Sequence, residues 1–308
     1  MNIKRLKVYL ILITVAAIWG AAGPIIKYTL KGIDPLPFLT YRFIISSLIS
    51  IFFFTYKIKR GKKFKRFRAN LPIVILYGLL AVPISLGILF FGLDNTTVLD
   101  LSLVGVAGPL FVTLGGVVFF KDKITKRERI GIFIVLIGVL INSFYPLIKS
   151  EGLRLTGNIL LLFYLISDSA SVLIAKRMLQ KKVKSENLTN SAFILGAMIL
   201  IPATIYIYGL RNFINIIITL PLKYHLGVFY MALISGTLAY YLFLRGHRSI
   251  EVSEAILFNY LQPLFTIPLA IFWLKESLSY SFILGAFLIA LGLIIAETKN
   301  YKIQKEKE

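Results

Sequence analysis

Three ionisable residues interrupt apolar stretches of this sequence and are the first candidates for chemistry. Lys27, Arg42 and Asp168 each stand within a run of about 20 apolar residues, long enough to cross a bilayer as a helix. An ionisable group at mid-bilayer costs about 2.5–3.5 kcal/mol, so each needs a partner, a route to water or a function. A guanidinium can hold a carboxylate through two parallel hydrogen bonds, and a carboxylate can carry a proton. These residues therefore point to solute binding within a membrane.

Each of the three has a structural alternative. Lys27 lies about 12 Å beyond the centre of its run at 1.5 Å per residue, so it either extends to the surface or contacts substrate. Arg42 is deeper and is either part of a structural ion pair or a substrate contact. Asp168 is a packing residue bonded to Ser167 or Ser171, a counter-ion for Arg42, or a proton carrier.

Two prolines indicate where the pathway lies. Pro109 and Pro263 fall near the middle of apolar runs, and each frees the carbonyl four residues earlier, at Gly105 and Asn259. A free carbonyl at this depth must be buried in protein or line a wet cavity, although a plain packing kink is the alternative. Asn259 and Gln262 add polar side chains on the same stretch.

Aromatic residues supply candidates for the lining of such a cavity, with interfacial or packing roles as the alternative. The candidates are Trp19, Tyr41, Tyr164, Tyr240 and Tyr260.

The elements that must position these residues are predicted to be transmembrane helices. Hydrophobic residues make up 57% of the 308 residues, and the mean hydropathy is +0.81, too apolar for a soluble domain. The runs are continuously apolar, whereas strands of a membrane barrel would alternate. The chain has no cysteine, which excludes disulfides and cysteine metal sites. The predicted spans are 9–30, 36–56, 71–93, 97–120, 130–148, 157–179, 188–208, 224–244, 251–274 and 278–296.

The net charge of +21 is distributed by side of the membrane. Successive connections between spans must lie on alternate sides of the membrane. Assigned in this way, 27 Lys and Arg residues fall on the side of both termini and six on the other side, and Lys27 and Arg42 lie inside spans. An excess of cations in short loops marks the cytoplasmic face, so both termini are predicted to lie in the cytoplasm. Anionic membrane lipid is the expected partner of this charge, and no soluble module is present to bind nucleic acid.

The chain contains an internal repeat. Residues 92–141 align on 246–295 without a gap, with glycines, prolines and acids in register over 50 residues. The matched pairs are Gly92 with Gly246, Asp100 with Glu254, Pro109 with Pro263, Lys121 with Lys275, Asp122 with Glu276, Gly131 with Gly285, and Gly138 with Gly292. Gly131 and Gly138 are seven residues apart, as are Gly285 and Gly292, and this spacing favours close helix contact.

Five helices in each repeat place the second repeat upside down relative to the first. We therefore predict an all-α integral membrane protein of ten helices in two inverted repeats. The repeats are residues 1–148 and 149–296, followed by a basic cytoplasmic tail at 297–308.

The chain resembles the EamA family of the drug/metabolite transporter superfamily. The resemblance rests on "AIWGAAGPIIKYTL", on "PLPFLTYRF", and on the paired segments "GPLFVTLGGVVFFKDKI…GIFIVLIGVLI" and "QPLFTIPLAIFWLKESL…GAFLIALGLII". It covers nearly the whole chain and implies a carrier of small organic solutes such as amino acids, nucleotide sugars or drugs. Asp122 stands where the family usually has glutamate.

The expected function is secondary transport by alternating access, with a site between the repeats near the midplane. Charges at Lys27, Arg42 and Asp168 favour an amino acid or related metabolite, with a coupling proton at Asp168. A cationic-drug exporter is the alternative. An intramembrane enzyme fits less well because the chain has no HExxH or GxSxG motif. A channel fits less well because a two-fold repeat lacks a ring-forming charged filter, and an ATP-driven pump because no GxxxxGK(S/T) loop is present. We expect no cofactor, and either a monomer or a homodimer.

Overall fold

The structure is a computed structural model that describes residues 3–59, 65–121, 124–247 and 258–297, and all regular structure within these ranges is helical. Eight of the helices described there are long and apolar enough to cross a membrane. They are α1 (Ile3–Thr29), α2 (Pro35–Lys59), α3 (Leu71–Asn95), α4 (Val98–Phe120), α5 (Lys126–Phe144), α6 (Gly152–Gln180), α7 (Ser185–Tyr208) and α8, which comprises Leu222–Phe229, Tyr230–Leu238 and Ala239–His247.

Two further helical segments within the described residues correspond to the last two predicted spans. The ninth, α9, consists of a 3₁₀ turn (Phe258–Leu261), an α-helix (Gln262–Pro268) and a π-turn (Leu269–Trp273). The tenth, α10, is Tyr280–Glu297, of 18 residues. Residues 251–257 of the ninth predicted span lie outside the described residues, as do Asp122, Glu254 and the predicted tail beyond Glu297.

The described residues also form two short α-helices, and a 3₁₀ turn, Tyr145–Leu147, follows α5. Lys65–Ala69 precedes α3, and Leu210–Thr219, which we call the linker helix, connects α7 to α8.

Helices α4 and α9 break at matching positions. Helix α4 is interrupted at Ala107 and resumes at Gly108, and the α-helical part of α9 begins after Leu261, which lies 154 residues further on. Pro109 and Pro263 therefore occupy the first turn of a helical segment, where a missing N–H costs nothing. The sequence pattern puts them in mid-helix, whereas each begins a new segment.

Helices α3 and α8 share a different irregularity. Residues Leu80–Ile84 form a π-turn around Pro83, and Tyr230–Leu238 form a longer one. With the 154-residue offset of the repeat, the first π-turn corresponds to residues 234–238 of the second. Such bulges in a helix frequently accompany functional sites.

Helices α5 and α10 run antiparallel in close contact. A Cβ added at Gly131 would lie 2.5 Å from the carbonyl oxygen of Gly292, and one at Gly138 would lie 2.9 Å from that of Gly285. The numbering rises along one helix as it falls along the other. This is the close contact that the seven-residue glycine spacing predicts.

Helices α2 and α7 also pair antiparallel. Thr40 donates to the carbonyl oxygen of Leu200 at one end, and Ser50 donates to Asn190 at the other. Buried aromatic residues, with Phe38, Phe43 and Phe90 fully inaccessible, fill the space between α2 and α3. This core surrounds the candidate site.

Candidate functional site

Arg42 on α2 is a buried cation whose hydrogen-bonding capacity is largely unused. Its side chain is 5% exposed, and neither Nε nor Nη1 has a hydrogen-bond partner. Its guanidinium carbon lies 5.0 Å from the ring centre of Phe43 and 5.9 Å from that of Phe90. The aromatic faces compensate part of the charge but accept no conventional hydrogen bonds. Buried donors without partners call for an explanation, and a bound solute or water is one.

Ser46 repeats this pattern one helical turn along α2. It is 1% exposed, and its hydroxyl also lacks a partner. Residues four apart lie on one face of a helix, so Arg42 and Ser46 point in similar directions. Ser46 faces Gly236 in the π-turn of α8, where an added Cβ would lie 3.9 Å from its Oγ. The π-turn thus presents a side-chain-free backbone to this polar stripe.

Asp168 on α6 brings an acid to the same region. Within the described part of the chain its carboxylate accepts no hydrogen bond and forms no ion pair within 4.0 Å. Its charge acts on the hydroxyl groups of Tyr77, Tyr164 and Tyr240. Three phenols, from α3, α6 and α8, therefore lie within electrostatic range of the carboxylate.

Tyr240 lies near both the acid and the arginine. Its hydroxyl is within electrostatic range of both Asp168 and Arg42. Its ring lies 5.4 Å from that of Trp19 and 6.3 Å from that of Phe193. The central cluster, as we call it, consists of Trp19, Arg42, Ser46, Tyr77, Tyr164, Asp168, Phe193 and Tyr240.

The central cluster draws side chains from α1, α2, α3, α6, α7 and α8. Trp19 is fixed by its indole N–H, which donates to the carbonyl oxygen of Ser235 in the π-turn at 3.1 Å. The arrangement combines a cation, an acid and several amphipathic aromatic rings. It can bind a small solute that carries both charged and apolar parts.

The ion pair between Arg42 and Asp168, one of the alternatives from sequence, is not formed. Arg42 packs on phenylalanine rings, whereas Asp168 faces tyrosines, and no hydrogen bond joins the two side chains. Helical spacing could place both at mid-span, but the direction of each side chain depends on neighbouring helices.

Tyr41 is not part of the central cluster, although it is the residue before Arg42. Consecutive residues point about 100° apart around a helix. The Tyr41 hydroxyl lies 3.1 Å from Nδ1 of His225, and its ring contacts Phe229 edge-on. Tyr41 therefore ties α2 to the first segment of α8.

Lys27 caps the end of a helix. Its Nζ donates to the carbonyl oxygens of Leu93 and Asp94, each at 2.8 Å, where α3 ends. A cation at a helix C-terminus also interacts favourably with the helix dipole. No contact joins Lys27 to the central cluster within the described residues.

Asn259 and Gln262 form a separate pair at the start of α9. Gln262 Nε2 donates to Asn259 Oδ1 at 3.4 Å. The Gln262 carbonyl would lie 2.7 Å from a Cβ added at Gly20, so α1 and α9 meet closely here. Tyr260 lies in the same 3₁₀ turn. Of the residues selected from sequence, the structure gathers Trp19, Arg42, Tyr164, Asp168 and Tyr240.

A second polar group, the Asp100 cluster, closes the end of the bundle where α3 ends and α4 begins. Asp100 is fully buried and accepts two hydrogen bonds from Arg154, at 2.8 and 3.1 Å. It also accepts from Asn142 at 2.8 Å and from Thr96 at 2.9 Å. With its acceptors satisfied, this carboxylate is structural.

Glu276 lies beside the Asp100 cluster and caps α4. Its carboxylate accepts from the backbone N–H groups of Val98 at 2.8 Å and Leu99 at 3.0 Å. Burial raises the pKa of Glu276, and the two backbone hydrogen bonds oppose that shift. A cavity of about 290 Å³ opens here, lined by Lys27, Lys31, Asn95, Thr96, Thr97, Arg154, Leu274 and Glu276.

Sequence reasoning missed Ser46, Tyr77 and Phe193 in the central cluster. Ser46 could have been found from its spacing of four residues after Arg42. Tyr77 and Phe193 carry no such signal, because apolar helices are rich in similar residues. Asp100 and Glu276 were noticed as repeat markers, but their role as an ion-pair centre and a helix cap was not.

Comparison with known proteins identifies the family. The model of the EamA-like transporter family matches the chain twice, at residues 6–144 and 155–298. The uncharacterized transporter YyaM of Bacillus subtilis (strain 168) is 25% identical over 95% of this chain and 94% of its own length. An uncharacterized transporter of Archaeoglobus fulgidus is 25% identical over 96% of this chain and 99% of its own length.

A solved crystal structure shares the fold. It has a TM-score of 0.62 and 16% identity over 95% of this chain and 98% of the other, which shows the fold alone. The apolar helices of span length, the transporter relatives and the two family matches all indicate a membrane transporter. The chain is a multi-pass membrane protein and belongs to the EamA-like transporter family, within the drug/metabolite transporter superfamily.

Proposed function

We propose that this transporter moves an amino acid or a related carboxylate-bearing metabolite across the cytoplasmic membrane by alternating access. The observation that carries the proposal is Arg42, a buried cation with unused donors in a cluster built from both halves of the chain. A carboxylate is the ligand that matches its planar fork. Membership in a transporter family favours transport over catalysis.

The proposed architecture is ten helices in two inverted repeats, with both termini in the cytoplasm. Antiparallel pairing of α2 with α7 and of α5 with α10 supports it, because each pair joins equivalent helices of the two repeats. The matching interruptions of α4 and α9, and of α3 and α8, add to this support. Two such halves rocking about the central cluster would expose it to either side in turn.

The body of the substrate would rest on aromatic surfaces. Trp19, Phe193 and Tyr240 offer ring faces within one cluster, and the Tyr240 hydroxyl remains available as a polar contact. Such rings accept both apolar and weakly polar groups. A zwitterionic solute would place its carboxylate towards Arg42 and its ammonium group towards Asp168.

Asp168 is the proposed site of proton coupling. In a membrane interior, a carboxylate without a cation partner is unfavourable. Asp168 would therefore bind either a proton or the ammonium group of the solute. Competition between the two would link solute movement to proton movement.

Vesicles containing the purified protein test the proposal. Exchange of labelled amino acids, organic acids and organic cations is compared for the wild type and Arg42→Lys. Because lysine keeps the charge but loses the fork, carboxylate transport should weaken about tenfold. Arg177→Lys, at an exposed arginine near the end of α6, is the matched control and should transport normally.

Transport of organic cations alone, at rates that Arg42→Lys leaves unchanged, would overturn the carboxylate assignment. It would favour a cationic-drug exporter built around Asp168.

A further inference from the structure

The linker helix lies at the end of the bundle where α1 ends. Tyr208, the last residue of α7, donates a hydrogen bond from its hydroxyl group to the Asp34 carboxylate at 3.1 Å. Asp34 lies in the connection between α1 and α2. Gly209 then turns the chain with φ of +77°, a conformation that L-residues with side chains rarely adopt. The helix packs on α2 and α7 through Phe213, which is 5% exposed.

Only half of the apolar surface of the linker helix is covered by protein. At 100° per residue, Phe213, Ile216 and Ile217 occupy the arc that faces the bundle. Next to this arc, Leu210, Ile214 and Ile218 form a stripe at four-residue spacing, with exposures of 55%, 46% and 75%. The described residues thus leave about half or more of each side chain in this free stripe uncovered.

The remaining arc of the linker helix is polar and exposed. It comprises Arg211, Asn212, Asn215 and Thr219. Arg211 and Asn215 therefore border the free apolar stripe on one side, while protein covers the other side. A helix with these three surfaces lies along a membrane surface, with its stripe towards the acyl chains and its polar arc towards water.

A groove adjoins the stripe. It is a shallow, open depression of about 700 Å³, and all its lining residues belong to the linker helix and the two residues before it, Tyr208 and Gly209. Within the described residues Arg211 forms no ion pair, so its charge is available to a ligand. The groove thus combines exposed apolar side chains with a neighbouring cation, Arg211.

We propose that this groove binds a phospholipid with an anionic headgroup, in the leaflet at the Tyr208 end of the bundle. An acyl chain lies along Leu210, Ile214 and Ile218, and Arg211 binds the phosphate through charge-assisted hydrogen bonds. The charge of Arg211 complements an anionic headgroup. A second copy of the chain fits less well, since three side chains supply far less than the roughly 800 Å² per partner of a stable interface.

The absence of native cysteine allows the depth of each face to be measured. Ile214→Cys and Ile218→Cys carry a bimane label in vesicles whose lipids bear a quencher on the acyl chain. Asn212→Cys and Thr219→Cys, on the opposite arc, are the matched controls. We expect at least a twofold stronger quenching at the two stripe positions. Equal quenching at all four, or none at the stripe, would overturn the membrane orientation.

Lipid retention tests the headgroup contact separately from transport. Native mass spectrometry compares phosphatidylglycerol with phosphatidylcholine bound to the wild type, Arg211→Gln, Arg211→Lys and Arg177→Gln. We expect Arg211→Gln to bind phosphatidylglycerol about tenfold more weakly, and Arg211→Lys and Arg177→Gln to resemble the wild type more closely. Undiminished binding by Arg211→Gln, or an equal loss in Arg177→Gln, would overturn the assignment.

Discussion

Two arginines in this protein occupy opposite electrostatic situations. Arg154 forms a bidentate pair with fully buried Asp100, and Glu151 accepts a further bond at 3.2 Å. Arg42 has aromatic rings beside it but leaves Nε and Nη1 unpaired. An unpaired buried charge is costly, and the carboxylate of the proposed solute would supply the missing partner of Arg42.

Double-mutant cycles should separate the two arginines. Arg154→Gln leaves Asp100 as an uncompensated buried charge and should cost about 3–5 kcal/mol, whereas adding Asp100→Asn should recover part of that loss. Arg42→Gln and Asp168→Asn should have nearly additive effects, because the structure forms no pair between them. Thermal unfolding in detergent measures both cycles. A larger coupling in the Arg42 cycle than in the Arg154 cycle would contradict the structure.

Asp168 carries the prediction about energy coupling. In the wild type, an imposed pH gradient should drive accumulation of substrate if, as proposed, protonation of the Asp168 carboxylate alternates with solute binding. Asp168→Asn removes both the exchangeable proton and the charge that would face the ammonium group, so exchange should weaken and the remaining exchange should lose its dependence on the gradient. Asp34→Asn, at an exposed acid, is the control. A gradient response that survives in Asp168→Asn would place the coupling elsewhere.

At the scale of elements, the equivalent helices serve two different purposes. Helices α5 and α10 meet backbone to backbone through glycines, which leaves no room for movement of side chains. Helices α3 and α8 instead contain π-turns beside the central cluster. Rigid packing at one location and irregular backbone at another are compatible with the proposed alternating access.

The glycine contact should be sensitive to a single methyl group. In Gly131→Ala the new Cβ would meet the Gly292 oxygen and the backbone of Ala296, so unfolding free energy should fall by about 1–3 kcal/mol. Gly87→Ala on α3 meets nothing within 4 Å and should be neutral or slightly stabilising. Equal thermal stability of the two variants in detergent would refute the close contact.

At the scale of the molecule, the two copies of the repeated loop segment lie at opposite ends of α4. Glu276 in the second copy caps the first residue of α4, and Lys121 in the first copy follows its last residue. The first copy carries five cations between residues 119 and 131, whereas the second retains only Lys275. Orientation by positive charge explains the difference if the charged end faces the cytoplasm.

Labelling of single cysteines in cells tests this orientation. Asn95→Cys and Ser279→Cys should react with an impermeant maleimide from outside. Lys126→Cys and Ser185→Cys should react only after the membrane is permeabilised. If Lys126→Cys and Ser279→Cys react from the same side, the inverted arrangement is wrong.

The sequence by itself determined the membrane class, the helical content, the family and the repeat. Each follows from a one-dimensional pattern: the length of apolar runs, the placement of cations, and glycines, prolines and acids in register. It also identified five members of the central cluster, because a charge or a large aromatic residue inside a span is conspicuous.

Only the tertiary structure decided which of these residues meet. Tyr41 and Arg42 are neighbours in sequence but serve different clusters, and Lys27 caps α3 although its charge suggested a substrate contact. Asp100 stood out in the sequence only as a repeat marker, yet it forms with Arg154 the best-satisfied ion pair of the described chain. The physical reason is that depth in a membrane is set by position along one helix, whereas partnership depends on the rotation of each helix and on its neighbours.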